Sequence, residues 1–188
     1  MTARRLVAFV AFVAGVVLAR GPLTTGPARY QRLSDVVGPY VEKLGDPRAD
    51  SRYLDSKPYV LLFFSASWCG PCQEFAPQLT RFYARYSKQH DFEVVLVSKD
   101  RGADELRREI QEHHMPWVAV PFQNLKARGQ LLRWYGGDGG IPNVVLIDRN
   151  GHKLASSYGA LGYRGPYAPL QDLQRLWRSS DPPFSPST

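Results

Sequence analysis

The sequence predicts an α/β protein in which a mixed central sheet carries helices on both faces. Residues 59–65, YVLLFFS, form a continuous apolar run after Pro58, as expected of a strand buried on both faces. A segment with helical spacing separates this run from a second one, at residues 92–98. Residues 143–157 have the pattern of a β-hairpin, and the order of these elements implies a mixed sheet.

The N-terminal residues 1–19 have the layout of a secretory signal. Arg4 and Arg5 give a basic start, the apolar run Leu6–Ala19 follows, and small residues near its end suit a cleavage site. The run is shorter than the roughly 20 residues needed to span a bilayer, while an uncleaved anchor and a transit peptide stay as alternatives. We expect an exported protein, periplasmic or secreted, that is attached to a membrane only if this segment is retained.

Residues 20–57 are expected to form a linker and an N-terminal extension. The first part is rich in Gly, Pro, Thr and Arg, and residues 35–44 show a weak helical pattern that Gly38 and Pro39 interrupt. The folded domain is then predicted to span residues 58–178.

Within this domain, periodicity and turn signals define the other elements. The helix that begins at Gly70 has one apolar stripe, formed by Phe75, Leu79, Phe82 and Tyr83. Asn150-Gly151 supplies the turn of the hairpin. The elements expected are helices at 70–87, 103–113, 125–135 and 169–178, of which 103–113 is charged and exposed, an extended piece at 117–120, a flexible loop at 136–140 and a disordered tail at 179–188.

The composition argues against a nucleic-acid partner. With 44% hydrophobic and 12% aromatic residues, most of the chain is able to fold. The formal charge of +7 comes from basic residues that are scattered among acidic ones, as in DELRREIQEHH, and form no basic run.

The two cysteines, Cys69 and Cys72, lie in the segment SASWCGPCQEFAP. Zinc requires four ligands, and His113 and His114 are adjacent instead of three to five residues apart. Haem attachment requires a histidine where Gln73 stands. A bond between the two cysteines closes a very small loop and adds little stability. Inert core cysteines and a redox pair remain, and the junction of a strand with a helix favours the redox pair; we expect no metal or cofactor.

The start of a helix suits a nucleophilic thiol. Unpaired backbone N–H groups and the positive end of the helix dipole lower the pKa of a thiol at that position. Cys69 is therefore the predicted nucleophile, which attacks a substrate disulfide. Cys72 is the predicted buried resolving thiol, which releases the reduced substrate.

The segment FFSASWCGPCQEFAP resembles the active site of the thioredoxin superfamily, through Trp68, Gly70-Pro71 and the helix-kinking Pro77. The segments FEVVLVSKDR, MPWVAVPF and IPNVVLIDRNGHKL look like the tryparedoxin and nucleoredoxin branch. The Gly-Pro pair departs from the two prolines usual in that branch, and the N-terminal signal is similar to that of exported TlpA-like reductases. The resemblance implies a thioredoxin-like fold and thiol–disulfide exchange.

The resemblance also implies a substrate-binding surface. Ile141-Pro142 corresponds to the cis-proline of the family, whose backbone pairs with an extended substrate beside the dithiol; an ordinary proline at a strand start is the alternative. Together with Trp68, Gly70 and Pro71, these residues are the expected substrate contacts.

One expected residue is missing. Thioredoxin has a buried aspartate six residues before its first cysteine, and Phe63 stands there. The acid–base partner of the resolving thiol is therefore unassigned. Glu74 is expected on the helix surface, His113 and His114 in solvent, and Trp117 in the core.

From these patterns we expect an exported reductant of protein disulfides that is recharged by an upstream thiol electron donor. The Gly-Pro pair resembles the reducing type, near about −270 mV. A disulfide oxidase or isomerase, and a redox-inactive binding module, are the alternatives.

Overall fold

The structure is a computed structural model that describes residues 32–136 and 139–177. Its strands are β1 (Tyr40–Lys43), β2 (Asp46–Asp50), β3 (Tyr59–Ser65), β4 (Phe92–Ser98), β5 (Val118–Ala119), β6 (Asn143–Asp148), β7 (Lys153–Ser156), β8 (Tyr158–Gly159) and β9 (Gly162–Tyr163). Its helices are α1 (Leu33–Val37), α2 (Gly70–Tyr86), α3 (Ala103–Glu112), α4 (Leu125–Tyr135) and α5 (Ala168–Leu176), with a 3₁₀ helix at Ser51–Ser56.

Strand β3 lies near the middle of a mixed sheet. In the described part of the chain this sheet has seven strands, in the order β2-β1-β5-β4-β3-β6-β7. Strand β3 runs parallel to β4, with Tyr59 opposite Phe92, and antiparallel to β6, with Phe64 opposite Asn143. The predicted mixed central sheet is confirmed.

Alternate residues of β3 enter two hydrophobic cores. Leu61 and Phe63 pack on the face that carries α2, α3 and α5, whereas Leu62 and Phe64 pack on the face that carries α1 and α4. The continuous apolar run follows from this arrangement, because helices cover the strand on both faces. Trp117 lies in the first core, as predicted. Among the described residues, no helix is long and apolar enough to cross a bilayer.

The N-terminal extension differs from the sequence prediction. Residues 35–44, expected to be weakly helical, contain the end of α1 and all of β1, which pairs with β5 and with β2. Val41 is fully buried in the second core, and Gly45, with φ of 83°, makes the turn between β1 and β2. The described residues before Pro58, which were expected to include an N-terminal extension, are therefore part of the folded unit.

Other differences lie near the C-terminus of the domain. Strands β8 and β9 form a small hairpin that was not predicted, because two-residue strands are too short to show a period. The predicted signal at 1–19, the tail at 179–188 and part of the loop at 136–140 lie outside the described residues.

Candidate active site

The two cysteines lie where β3 gives way to α2. Cys69 is the N-cap residue of α2, and a disulfide of 2.16 Å joins its Sγ atom to that of Cys72 in the first turn. Pro71 lies in that first turn. Its lack of an N–H group costs no hydrogen bond there, because N–H groups in the first turn have no partner within the helix. Cys72 is fully buried, and Cys69 retains 6% exposure.

The start of α2 directs a backbone donor at Cys69. The N–H of Cys72 points at Cys69 Sγ, with an N–S distance of 3.2 Å. The first turn of α2 contains no acidic residue that would oppose a negative charge. This geometry favours a thiolate on Cys69 when the disulfide is reduced, because the N–H group and the helix dipole both stabilise negative charge.

The predicted cis-proline lies against the disulfide. The Ile141–Pro142 peptide bond is cis, which confirms the prediction. The Ile141 carbonyl oxygen lies 3.6 Å from Cys69 Sγ, and Ile141 packs against the small cluster formed by Ala66, Cys69 and Cys72. The hydroxyl of Tyr163, on the unpredicted strand β9, donates to the Pro142 carbonyl oxygen at 2.8 Å.

The remaining predicted contact residues form the outer surface of the site. Trp68 is 58% exposed, and Gly70 and Pro71 are exposed beside it. A Cβ atom added to Gly70 would meet no other atom within 4 Å. The structure thus brings the predicted residues together around Cys69.

Asp100 anchors the loop between β3 and Cys69 through hydrogen bonds. One carboxylate oxygen accepts hydrogen bonds from the backbone N–H (2.8 Å) and the hydroxyl (2.9 Å) of Ser67, and the other accepts from the Ser98 hydroxyl (2.8 Å). Arg128 donates to the Ser98 carbonyl oxygen behind it. The sequence prediction missed both residues, although Asp100 closely follows a strand at the edge where sites are expected.

A second buried carboxyl group, that of Glu109, lies on α3. It has no exposed surface, and its Oε1 accepts a hydrogen bond of 2.5 Å from the hydroxyl of Ser65, the last residue of β3. Burial raises the pKa of Glu109 to about 7; the Ser65 bond opposes this rise, and the charge of Asp100 adds to it. Sequence reasoning assigned this residue to an exposed charged helix.

The predictions for the neighbouring polar residues were partly right. Glu74 is exposed on α2, as predicted. The prediction that both histidines face solvent is wrong for His113. Its Nε2 hydrogen-bonds to Gln73 Oε1, and burial lowers its pKa. His114 is exposed, in the left-handed backbone region.

A cysteine pair at the first turn of the helix after the central strand, opposed by a cis-proline, is the arrangement expected at the site of a thioredoxin-like fold. The thioredoxin-like family model matches residues 57–152, about half of the chain. The chain belongs to this thioredoxin-like family.

The relatives of this chain include nucleoredoxins and a tryparedoxin, the branch that the sequence indicated. The chain is 40% identical over 115 residues to probable nucleoredoxin 1 of Arabidopsis thaliana, which covers 57% of this chain and 19% of the relative. It is 37% identical over 89 residues to tryparedoxin of Trypanosoma brucei brucei, which covers 47% of this chain and 60% of the relative. The chain thus spans less than two thirds of the length of these relatives.

Solved structures agree with the fold. Tryparedoxin II from C. fasciculata complexed with glutathionylspermidine has a TM-score of 0.62 and 26% identity, covering 81% of this chain and 99% of that one. Tryparedoxin I from Leishmania major has a TM-score of 0.59 and 29% identity, covering 76% and 91%.

Proposed function

We propose that this protein reduces disulfides in protein substrates by dithiol exchange, with Cys69 as the nucleophile and Cys72 as the resolving thiol. The observation that carries the proposal is the N–H of Cys72, 3.2 Å from Cys69 Sγ at the start of α2. The full burial of Cys72 supports the assignment of roles, because Cys69 is the more accessible of the two residues.

The reaction has two exchange steps. The Cys69 thiolate attacks one sulfur of the substrate disulfide, forms a mixed disulfide and releases the other sulfur as a thiolate that takes up a proton. Cys72 then loses its proton and attacks Cys69 Sγ. The Cys69–Cys72 disulfide forms, and the second substrate thiolate leaves and is protonated. Two electrons pass from the dithiol to the substrate.

The substrate is proposed to bind as an extended segment beside the cis-proline. The backbone at Ile141 lies next to Cys69 Sγ, so a paired segment would present its disulfide to that sulfur. Trp68, the residue before Cys69, offers an exposed apolar surface for the same segment. The oxidised protein is recharged by an upstream thiol. A tryparedoxin has been solved with glutathionylspermidine, which makes a small thiol one candidate class.

The first test is an insulin-type disulfide reduction assay. The wild type should reduce the substrate, and Cys69→Ser should abolish the reaction. Cys72→Ser should capture the substrate as a mixed disulfide, whereas the double variant Cys69→Ser/Cys72→Ser, its matched control, should capture none. A wild type that reduces nothing and a Cys72→Ser variant that captures nothing would contradict the proposal and favour a redox-inactive binding module.

The direction of electron flow is a separate test. We propose a reductant because Gly70-Pro71 resembles the reducing type of dipeptide. Equilibration in glutathione buffers measures the potential of the dithiol. A value above about −180 mV would instead identify an oxidase or isomerase.

Export is proposed from residues 1–19, with their basic start and apolar run. Mass spectrometry of the protein recovered from its native host identifies the mature N-terminus and the compartment. A mature chain that begins near residue 20 outside the cytoplasm would support export, and a full-length cytoplasmic chain would contradict it.

A further inference from the structure

We propose that Glu109 accepts the proton of Cys72 when this thiol attacks the mixed disulfide. The inference rests on the proposed exchange function and assigns the acid–base partner that the sequence leaves open. It concerns the second exchange step alone, because Cys69 reacts as a thiolate stabilised by the start of α2.

The first support is the position of Glu109 at the end of β3 nearest the dithiol. Phe63 and Ser65 lie on the same face of β3, the face covered by α2 and α3, because side chains alternate along a strand. Ser65 is two residues closer to Cys69 than Phe63 is. Glu109 hydrogen-bonds to Ser65, so α3 places a carboxyl group on this face at the end of β3 nearest the dithiol.

Contacts between α3 and α2 support the same placement. His113, one helical turn beyond Glu109, hydrogen-bonds to Gln73, the residue that follows Cys72. Gln73 also donates to the carbonyl oxygen of Ala66 at 3.3 Å, and Ala66 packs against Cys72. The side of α3 that carries Glu109 and His113 therefore contacts both Ser65, at the end of β3, and Gln73, the residue after Cys72 in α2.

The second carboxylate oxygen of Glu109 is available for a proton. Among the residues that the structure describes, this buried Oε2 atom has no hydrogen-bond partner, which is costly for a buried polar atom. Asp100 is the other buried carboxyl group nearby, and both of its oxygens accept hydrogen bonds from Ser67 and Ser98. Glu109 is therefore the better acceptor.

The surroundings of Glu109 keep both of its protonation states accessible near neutral pH. The titratable or charged groups around it are Asp100 and His113. The charge of Asp100 raises the pKa of Glu109, and burial lowers the pKa of His113, which favours its neutral form. The guanidinium of Arg128 hydrogen-bonds to the Asp100 carbonyl oxygen. A carboxyl group with a pKa of about 7 accepts and returns a proton at neutral pH.

The proposed proton path balances the second exchange step. The Cys72 thiol gives its proton to Glu109, and the resulting thiolate forms a bond to Cys69 Sγ. The bond between Cys69 and the substrate sulfur breaks, and the leaving thiolate takes a proton from the protonated Glu109. The carboxylate is then restored.

Stopped-flow reaction of the reduced protein with one equivalent of 5,5′-dithiobis(2-nitrobenzoate) separates the two steps. Attack by Cys69 releases the first chromophore, and attack by Cys72 releases the second. We expect Glu109→Gln to leave the first phase unchanged and to slow the second by about 100-fold at pH 7. In the wild type the second phase should level off above about pH 7, and in the variant it should continue to rise toward about pH 8.5, where an ordinary thiol ionises.

Glu93→Gln is the matched control. Glu93 is also buried, but it pairs with Val60, about 16 Å along the strand from Ser65. Both phases of this variant should match the wild type. Ser65→Ala gives a second readout, because loss of its hydrogen bond should raise the pKa of Glu109 and move the inflection of the second phase to higher pH.

The outcomes separate this inference from the proposed function. A Glu109→Gln variant with a normal second phase at every pH would overturn the role of Glu109 while leaving dithiol exchange intact. A wild type that releases no second chromophore would contradict the exchange function itself. Thermal unfolding of each variant checks that a slow second phase does not come from a damaged fold.

Discussion

Replacing Glu109 by glutamine should change how the stability of the protein depends on pH. The carboxyl group is fully buried, and burial is the main cause that raises its pKa from 4.5 to about 7. In the unfolded chain the group keeps an ordinary pKa. The folded state therefore holds the proton more tightly, and ionisation of Glu109 works against folding.

The magnitude follows from the two pKa values. Below pH 4.5 the group is protonated in both states, and its full contribution to stability is present. As the pH rises toward 7, the unfolded state ionises first, and stability is lost. A pKa of about 7 in place of 4.5 corresponds to a loss of about 3 kcal/mol in the free energy of unfolding, a large part of the 5–15 kcal/mol typical of a domain.

Urea denaturation of the oxidised protein, followed by tryptophan fluorescence between pH 4.5 and 8, measures this loss. The oxidised form is used because its disulfide cysteines do not titrate. The wild type should lose about 3 kcal/mol relative to Glu109→Gln across this range. Groups that titrate in both proteins, such as the buried Glu93, cancel in the difference.

The exposed Glu74→Gln variant is the matched control, and its curve should run parallel to that of the wild type. Parallel curves for the wild type and Glu109→Gln would refute the reasoning, because they would show that Glu109 ionises in the folded state as easily as in the unfolded chain. The proposed proton transfer at neutral pH would then lose its physical basis.

Three further substitutions test the packing around the site by urea denaturation. Gly140→Ala should lower the free energy of unfolding by about 1–3 kcal/mol, because the added Cβ would overlap the Tyr158 hydroxyl. Combining it with Tyr158→Phe removes that hydroxyl and should restore stability, because the next atom of the ring lies 3.6 Å from the Cβ. Asp100→Asn should cost about 1–3 kcal/mol and slow exchange, because it weakens the bonds that hold Ser67. Arg128→Met should cost at least about 3 kcal/mol, because it leaves several buried carbonyl oxygens without a donor.

Matched substitutions at exposed or open positions control these three predictions. Gly70→Ala should be neutral or slightly stabilising, because its Cβ meets no atom. Asp104→Asn and Arg133→Met make the same chemical changes on exposed parts of α3 and α4 and should stay within about 0.5 kcal/mol of the wild type. Equal costs at buried and exposed positions would contradict the packing described here.

The elements that the sequence predicted best are those buried on both faces. Strands β3, β4 and β6 begin and end at the predicted residues, because a long apolar run bounded by turn signals has few alternative structures. The hairpin β1–β2 was missed. Both strands are short, and β2 is almost entirely exposed. The hairpin therefore depends on the pairing of β1 with β5, a strand distant in sequence.

The dithiol, the following helix and the cis-proline were determined by the sequence alone. The thiolate-stabilising position, the helix start at Gly70-Pro71 and the peptide before Pro142 depend on residues that are neighbours along the chain. Only the tertiary structure decided the surroundings of the resolving thiol. Glu109 and Asp100 have the same chemistry as any surface carboxylate, and their burial depends on which helix and strands pack over them. A charged residue acquires a shifted pKa and a defined partner through that packing, which no local pattern encodes.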